Sequence, residues 1–197
     1  MPTYTIREIP GAKPLVQNDV ITLIAYLPRF FTAEECQRIG QLAEAEKQHD
    51  GHIGKGISGE IRNSKVSYIN PKENSRWVFD KLEEILLDLN KDYKFELSGF
   101  HEGLQIAEYE APGGHYTWHN DIGTGPYSTR KLSMSVQLSD VSDYEGGELQ
   151  FADSTQPAPK EIGSLIVFPS YLTHRVRPVT SGKRKSMVSW ISGPAFR

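Results

Sequence analysis

From about residue 100 onward the sequence falls into short segments, each too short to bury a face alone. "LQIAEYEA", "HYTWHND", "KLSMSVQLSD", "GELQFA", "GSLIVFPS", "THRVRPV" and "RKSMVSWIS" alternate in polarity or are rich in β-branched and aromatic residues. Turn signals separate them: Pro112-Gly113-Gly114, Gly123 to Pro126, Gly146-Gly147, Pro157 to Pro159 and Ser181-Gly182. Seven or more strands at this spacing predict an antiparallel barrel or sandwich.

The first half reads differently. In "FFTAEECQRIGQLAEAEKQ", Thr32 and Glu35 have capping-box spacing, and Phe31 and Cys36 stand where a hydrophobic staple would close. Cys36, Ile39, Leu42 and Ala43 then repeat at helical spacing, so Cys36 reads as a small core residue and not as a nucleophile. "GHIGKGISGEIRN" contains G-x-G-x-x-G at Gly54, Gly56 and Gly59, but a polar helix end precedes it and the strand-like "SKVSYIN" follows. A dinucleotide fingerprint needs a buried strand before it and a helix after it, so the segment reads as a mobile loop. A second helix spans "ENSRWVFDKLEEILLDLNKDY", capped by Asn74 or Ser75, with Trp77, Val78, Leu82, Ile85, Leu86 and Leu89 as its apolar stripe. Two helices placed first would cover one face of the β structure. With no repeat or linker, residues 1–197 read as one domain, with a helical part over about 20–98 and a β core over about 99–197.

Cys36 is the only cysteine, which excludes an intrachain disulfide and a cysteine-based zinc cluster. A net charge of -3 speaks against a broad nucleic-acid footprint. The N-terminus lacks a basic region followed by an apolar run, and no stretch approaches 18 apolar residues. The chain reads as cytoplasmic, without contact to membrane or nucleic acid.

The chemistry concentrates in "HYTWHND". His115 and His119 would share a helix face, whereas His119 and Asp121 would share a strand face. Between Pro-Gly-Gly and Ile-Gly-Thr-Gly-Pro only about seven residues remain, too few for a stable helix. The strand reading pairs His119 with Asp121. A third ligand has to come from elsewhere, and of the six histidines His174 is the candidate. Two imidazoles and one carboxylate form the facial triad suited to non-haem Fe(II), leaving positions open for a bidentate co-substrate and O2. Ten residues after His174 comes Arg184, with Ser186 on the same strand face. Lys183, Arg184 and Lys185 could be a solvated charge run, but Ser186, Val188 and Trp190 share the parity of Arg184 and make that face look buried. A buried guanidinium beside a triad suits a 2-oxo acid with a carboxylate at its far end, which is 2-oxoglutarate.

These motifs bring a family into view. "HND", "YEGGEL" and "FPSYLTHRVRPVTSGKRKS" resemble the Fe(II)- and 2-oxoglutarate-dependent dioxygenases, specifically the prolyl 4-hydroxylase-like branch. The resemblance implies a mainly β fold with flanking N-terminal helices and a double-stranded β-helix (jelly-roll) core. It implies iron held by His119, Asp121 and His174, and Arg184 on the far carboxylate of 2-oxoglutarate. It also implies O2 as co-substrate, ascorbate as an additional cofactor, and hydroxylation of an unactivated C–H bond with release of succinate and CO2. Tyr109 and Tyr116 fall about where the family places co-substrate and substrate tyrosines. Gln137 stands where relatives often carry a tyrosine on the same carboxylate. His115 reads as a rim or structural histidine or a substrate contact, and His49, His52 and His101 as surface residues. Trp118 and Trp190 read as packing around the barrel. The loops at 49–62 and 122–130 are expected to flank the mouth and to order on substrate binding.

The substrate implied is a prolyl or other amino-acid residue of a peptide or protein, turned over by a monomer or homodimer. A small-molecule hydroxylase of the same class is the alternative. A metal-binding module without turnover would not need Arg184. A nucleic-acid demethylase would need a basic groove, and the only basic clusters are Arg175/Arg177 and Lys183 to Lys185.

Overall fold

Thr32 opens the first helix as expected. The Glu35 amide donates to Thr32 Oγ1 at 3.2 Å, and the Thr32 amide donates to Glu35 Oε2 at 2.8 Å. Phe31 and Cys36, which flank the box, are both buried in one cluster. Thr32→Ala is expected to cost about 1 kcal/mol. A urea transition with a lower midpoint and unchanged slope would report it; an unmoved midpoint would show that packing alone fixes this helix.

The computed structural model describes residues 22–51 and 58–196. In chain order the elements are β1 (Ala25–Leu27), α1 (Ala33–Glu44), β2 (His49–Asp50), α2 (Ser58–Ile61), β3 (Arg62–Asn63), β4 (Lys65–Ile69) and α3 (Arg76–Tyr93). There follow β5 (Gly99–Phe100), β6 (Leu104–Glu110), β7 (His115–His119), β8 (Arg130–Gln137), β9 (Tyr144–Gly146), β10 (Leu149–Phe151), β11 (Leu165–Pro169), β12 (His174–Val176) and β13 (Val179–Ser192).

Two antiparallel sheets result. The larger runs β1-β11-β8-β13-β6-β4-β2, with β5 and β9 also paired to β13, and the smaller runs β10-β12-β7-β3. From β6 to β13 the chain passes back and forth between them: β6, β8, β11 and β13 lie in the large sheet and β7, β10 and β12 in the small one. That alternation is the jelly roll. All seven expected strands are present. The strands that the sequence did not reveal, β1, β2, β3, β5 and β9, have two or three residues each, too few to carry a period. The N-terminal part is also less purely helical than expected, because β1, β2 and β4 extend the large sheet and β3 the small one.

The helices cover one face of the large sheet. Ile39 of α1 and Val78, Phe79, Leu82 and Leu86 of α3 share a cluster with Leu132, Met134 and Val136 of β8 and Met187 and Ile191 of β13. Every residue of β8 is buried, so its two faces divide the work. Leu132, Met134 and Val136 meet the helices, while Ser133, Ser135 and Gln137 face the other sheet.

Two expectations need correction. Ser75 stands at the N-cap of α3, but its hydroxyl makes no cap bond. It accepts from the Lys72 amide at 2.8 Å and donates to the Asn70 carbonyl at 2.7 Å, so the preceding turn has claimed it. Of the segment read as a mobile loop, residues 52–57, with His52, Gly54 and Gly56, lie outside the described residues, and the remainder forms α2 and β3. Among the described residues no helix is long and apolar enough to cross a membrane.

Candidate metal and co-substrate site

β7 ends at His119, and Asp121 lies just beyond it, not on a strand as the spacing suggested. The carboxylate is aimed from the loop side: the Asp121 amide donates to the Ser170 carbonyl at 2.8 Å, and Arg130 Nη1 donates to the Asp121 carbonyl at 3.1 Å. His174, at the start of β12, pairs directly with His119 across the small sheet. His119 Nε2 lies 3.8 Å from Asp121 Oδ1, and His174 Nε2 lies 3.7 Å from Asp121 Oδ2. One donor atom from each of the three residues lies within 4.8 Å of the others.

The protonation pattern suits a cation. His119 Nδ1 is 2.8 Å from the Thr117 carbonyl and His174 Nδ1 is 2.9 Å from the Leu172 carbonyl. A carbonyl only accepts, so each Nδ1 carries the proton it donates, and each ring turns its Nε2 towards Asp121. Burial, and then the neighbouring His174, push His119 down to about 4, so its imidazole is neutral at neutral pH. Burial alone would raise the Asp121 carboxyl, but the two histidines and the Ser133 hydroxyl outweigh it and hold the group below the usual carboxylate range. Two imidazoles and a carboxylate are a fitting donor set for a divalent metal.

Ser133 supports the carboxylate from β8. Its Oγ donates to Asp121 Oδ2 at 2.6 Å and lies 3.0 Å from Ser170 Oγ. One proton cannot serve both, so the Ser170 hydroxyl donates to Ser133, which donates to Asp121. Ser133→Ala is expected to weaken Mn(II) binding by about 10–100-fold, the usual effect of losing an outer-shell partner. Calorimetric titration would measure it; unchanged affinity in a folded variant would show the bond to be idle.

Tyr116 occupies the site through an irregularity. Opposite His174 and Val176, β7 uses one extra residue between His119 and Tyr116. The bulge brings both of those side chains inward, leaves Thr117 and Trp118 exposed, and stacks the Tyr116 ring on His119 with centroids 3.4 Å apart. Burial pushes the Tyr116 hydroxyl up to about 12.

Arg184 lies in the same cavity as the triad, which encloses about 410 Å³. It is 1% exposed, and its Nη1 donates to Ser186 Oγ at 3.3 Å. Its Nε has no partner, and among the described residues no carboxylate comes within ion-pair distance. Tyr109 pairs with it across β6 and β13, with the guanidinium 5.5 Å from the ring centroid. Gly147, at φ +64°, keeps the turn after β9 close: a Cβ there would lie 3.0 Å from Arg184 Cδ. Gln137 sits opposite Ser186, buried, with its Oε1 unpartnered. A buried cation with an unused donor is a fitting receptor for a carboxylate. Lys183 and Lys185 instead meet Glu108 on the outer side of the strand.

The remaining histidines among the described residues stay away from the triad. His115 holds the Gly113 and Glu60 carbonyls at 2.7 and 3.1 Å, tying β7 to α2. His49 is exposed, and His101 contacts Ser98. Trp118 is not barrel packing: it is 45% exposed, beneath Arg175. Trp190 is buried and lines the cavity, with Arg130 at 3.6 Å over its ring. The sequence did not announce Arg62, Gln105, Glu102 or Arg130 as cavity residues. Arg62 and Arg130 each open a strand and Glu102 precedes one, where alternation does not mark a direction, whereas Gln105 shares a β6 face with Tyr109, a parity that could have found it. Segment 122–130 lines the mouth and contains a 3-10 turn at Gly125–Thr129.

The likeness to known proteins agrees with this geometry. Residues 104–192 match the family described as the 2OG-Fe(II) oxygenase superfamily. A PKHD-type hydroxylase of Prochlorococcus marinus (strain NATL2A) is 31% identical over 163 residues, covering 80% of this chain and 72% of the relative. Another, of Synechococcus sp. (strain CC9902), is 36% identical over 121 residues, covering 59% and 53%. The chain thus spans about half the length of several curated relatives that it matches. Among solved structures, a Pseudomonas putida prolyl-4-hydroxylase superposes with a TM-score of 0.70 at 21% identity, covering 87% of this chain and 93% of that one. A Trichoplax adhaerens prolyl hydroxylase, solved with a hypoxia inducible factor oxygen degradation domain peptide fragment, gives 0.71 at 17% identity over 86% and 83%. At those identities the likeness concerns the fold alone. The sequence relationship carries the assignment: the chain belongs to the 2OG-Fe(II) oxygenase superfamily, the oxygenases that use Fe(II), 2-oxoglutarate and O2.

Proposed function

We propose that this chain hydroxylates an unactivated C–H bond of a prolyl or other amino-acid residue in a peptide or protein. The observation that carries the reading is a buried Arg184 with an unused Nε in the same cavity as His119, Asp121 and His174. In this reading the triad holds Fe(II), and Arg184 with Ser186 takes the far carboxylate of 2-oxoglutarate beside Tyr109. When bound, Fe(II), 2-oxoglutarate and O2 together supply the oxidant that replaces hydrogen by hydroxyl, with succinate and CO2 released. The protein orients and shields: Nδ1 bonds fix the two imidazoles, Ser133 fixes the carboxylate, and Trp190 and Phe168 line the cavity wall. Tyr116, stacked on His119, stands where a substrate side chain would approach. Gln137, opposite Ser186, stands beside the co-substrate end, where its Oε1 can only accept a hydrogen bond, and ascorbate is a supporting reductant.

Two solved proteins that share the fold are prolyl hydroxylases, one with a bound peptide, and this favours a peptidyl substrate. The chain works as one domain over 1–197, in the cytoplasm, as a monomer or homodimer, and not on nucleic acid. Incubation with Fe(II), 2-oxoglutarate and a peptide library tests the reading. Succinate should form in step with a mass gain of one oxygen on a peptide, and each should stop when iron or 2-oxoglutarate is left out. Oxygen gain on free amino acids with none on peptides would move the assignment to the small-molecule alternative.

A further inference from the structure

Among the described residues the cavity contains three arginines, Arg62, Arg130 and Arg184, and two acids, Asp121 and Glu102. Arg130 is neutralised, since its Nε donates to Glu102 Oε1 at 2.7 Å and its Nη2 to Glu102 Oε2 at 2.5 Å. Arg184 belongs to the co-substrate. In a loaded site, Asp121 and the two carboxylates of 2-oxoglutarate balance the charges of Fe(II) and Arg184. Arg62 is left over.

Arg62 is only 7% exposed, and its hydrogen-bond partners among the described residues are neutral. Its Nε donates to Ser64 Oγ at 2.7 Å, and its Nη2 donates to Gln105 Oε1 at 2.8 Å. Gln105 is fixed in turn by donating to the Tyr68 hydroxyl at 2.6 Å. The guanidinium lies 4.8 Å from the centroid of Tyr116, the ring stacked on His119, which places it beside the metal ligands. The backbone closes on it from behind: a Cβ on Gly51 would fall 2.7 Å from Arg62 Nε and 2.5 Å from Ser64 Oγ. Among the described residues no carboxylate forms an ion pair with Arg62.

A buried, clamped cation without a counter-charge is costly unless a ligand supplies one. Clamping lowers the ordering cost of binding that ligand, and a guanidinium with free donors is shaped for a carboxylate. We propose that Arg62 is the specificity-determining residue for a carboxylate on the substrate, so the molecule hydroxylated carries an acidic group next to the reacting carbon. This rests on the oxygenase reading above and narrows its substrate class. The carboxylate has two sources, an acidic side chain beside the target residue or a main-chain carboxylate at a peptide C-terminus or on a free amino acid.

Binding can be read without turnover. The protein is loaded with Mn(II) and saturating 2-oxoglutarate under nitrogen, and the paramagnetic relaxation of each probe's acetyl methyl protons is measured. The probes are N-acetylproline, N-acetylprolinamide and acetyl-Pro-Asp amide. At least one acidic probe should relax tenfold or more faster than the prolinamide. Arg62→Gln should remove that difference, and Arg62→Lys should restore part of it. A response from N-acetylproline alone identifies a main-chain carboxylate, and one from acetyl-Pro-Asp amide identifies an acidic side chain. Equal relaxation by acid and amide in the wild-type protein, or a preference that survives Arg62→Gln, overturns the proposal, and the wild-type comparison holds even if the variants fail to fold. Titration of Mn(II) and 2-oxoglutarate into the same samples separates this outcome from failure of the oxygenase reading, which would appear as no co-substrate binding at all.

Discussion

His174→Ala is expected to abolish stoichiometric binding of Mn(II) or Fe(II). The imidazole is one of three donors within 4.8 Å of one another, and its removal leaves two ligands from a single short segment. The loss should exceed the 10–100-fold that follows removal of an outer-shell partner. The fold should survive, because β12 pairs with β10 and β7 through its backbone. Calorimetric titration of the folded variant decides the matter: a wild-type metal affinity would remove His174 from the site.

Arg184→Ala should leave metal binding nearly unchanged and weaken 2-oxoglutarate by about 2–5 kcal/mol, roughly a 30-fold to several-thousand-fold rise in Kd. The size follows from burial: a carboxylate brought to a 1%-exposed position without its guanidinium would have lost water and gained nothing. Equal 2-oxoglutarate affinity in variant and wild type would sink the assignment. Lys183 and Lys185 are not substitutes, since both are engaged by Glu108.

Much of this could be read from residue patterns because alternation on a strand has one meaning when both faces are buried. "KLSMSVQ" places Leu132, Met134 and Val136 against helices and its serines against the cavity, and Arg184 shares a face with Ser186 in the same way. The site departed from the pattern where the backbone departs from regularity. Asp121 converges on His119 because Ser170 and Arg130 hold a loop, not because the two share a strand. Tyr116 joins them through a bulge, and no alternation rule anticipates an extra residue. Arg62 stayed hidden because its direction is set by a two-residue strand and by Gln105, 43 positions away.

The position of β13 governs when the protein can be assembled. This last strand lies in the middle of the large sheet, between β6 and β8, and also pairs with β5 and β9. As the chain leaves the ribosome, β6 and β8 therefore wait with facing edges open until residues 179–192 emerge to join them. Such late, distant pairing slows folding and leaves sticky edges exposed in the interim. Because β13 also carries Arg184, under the proposed function no nascent fragment that lacks it would have the co-substrate anchor.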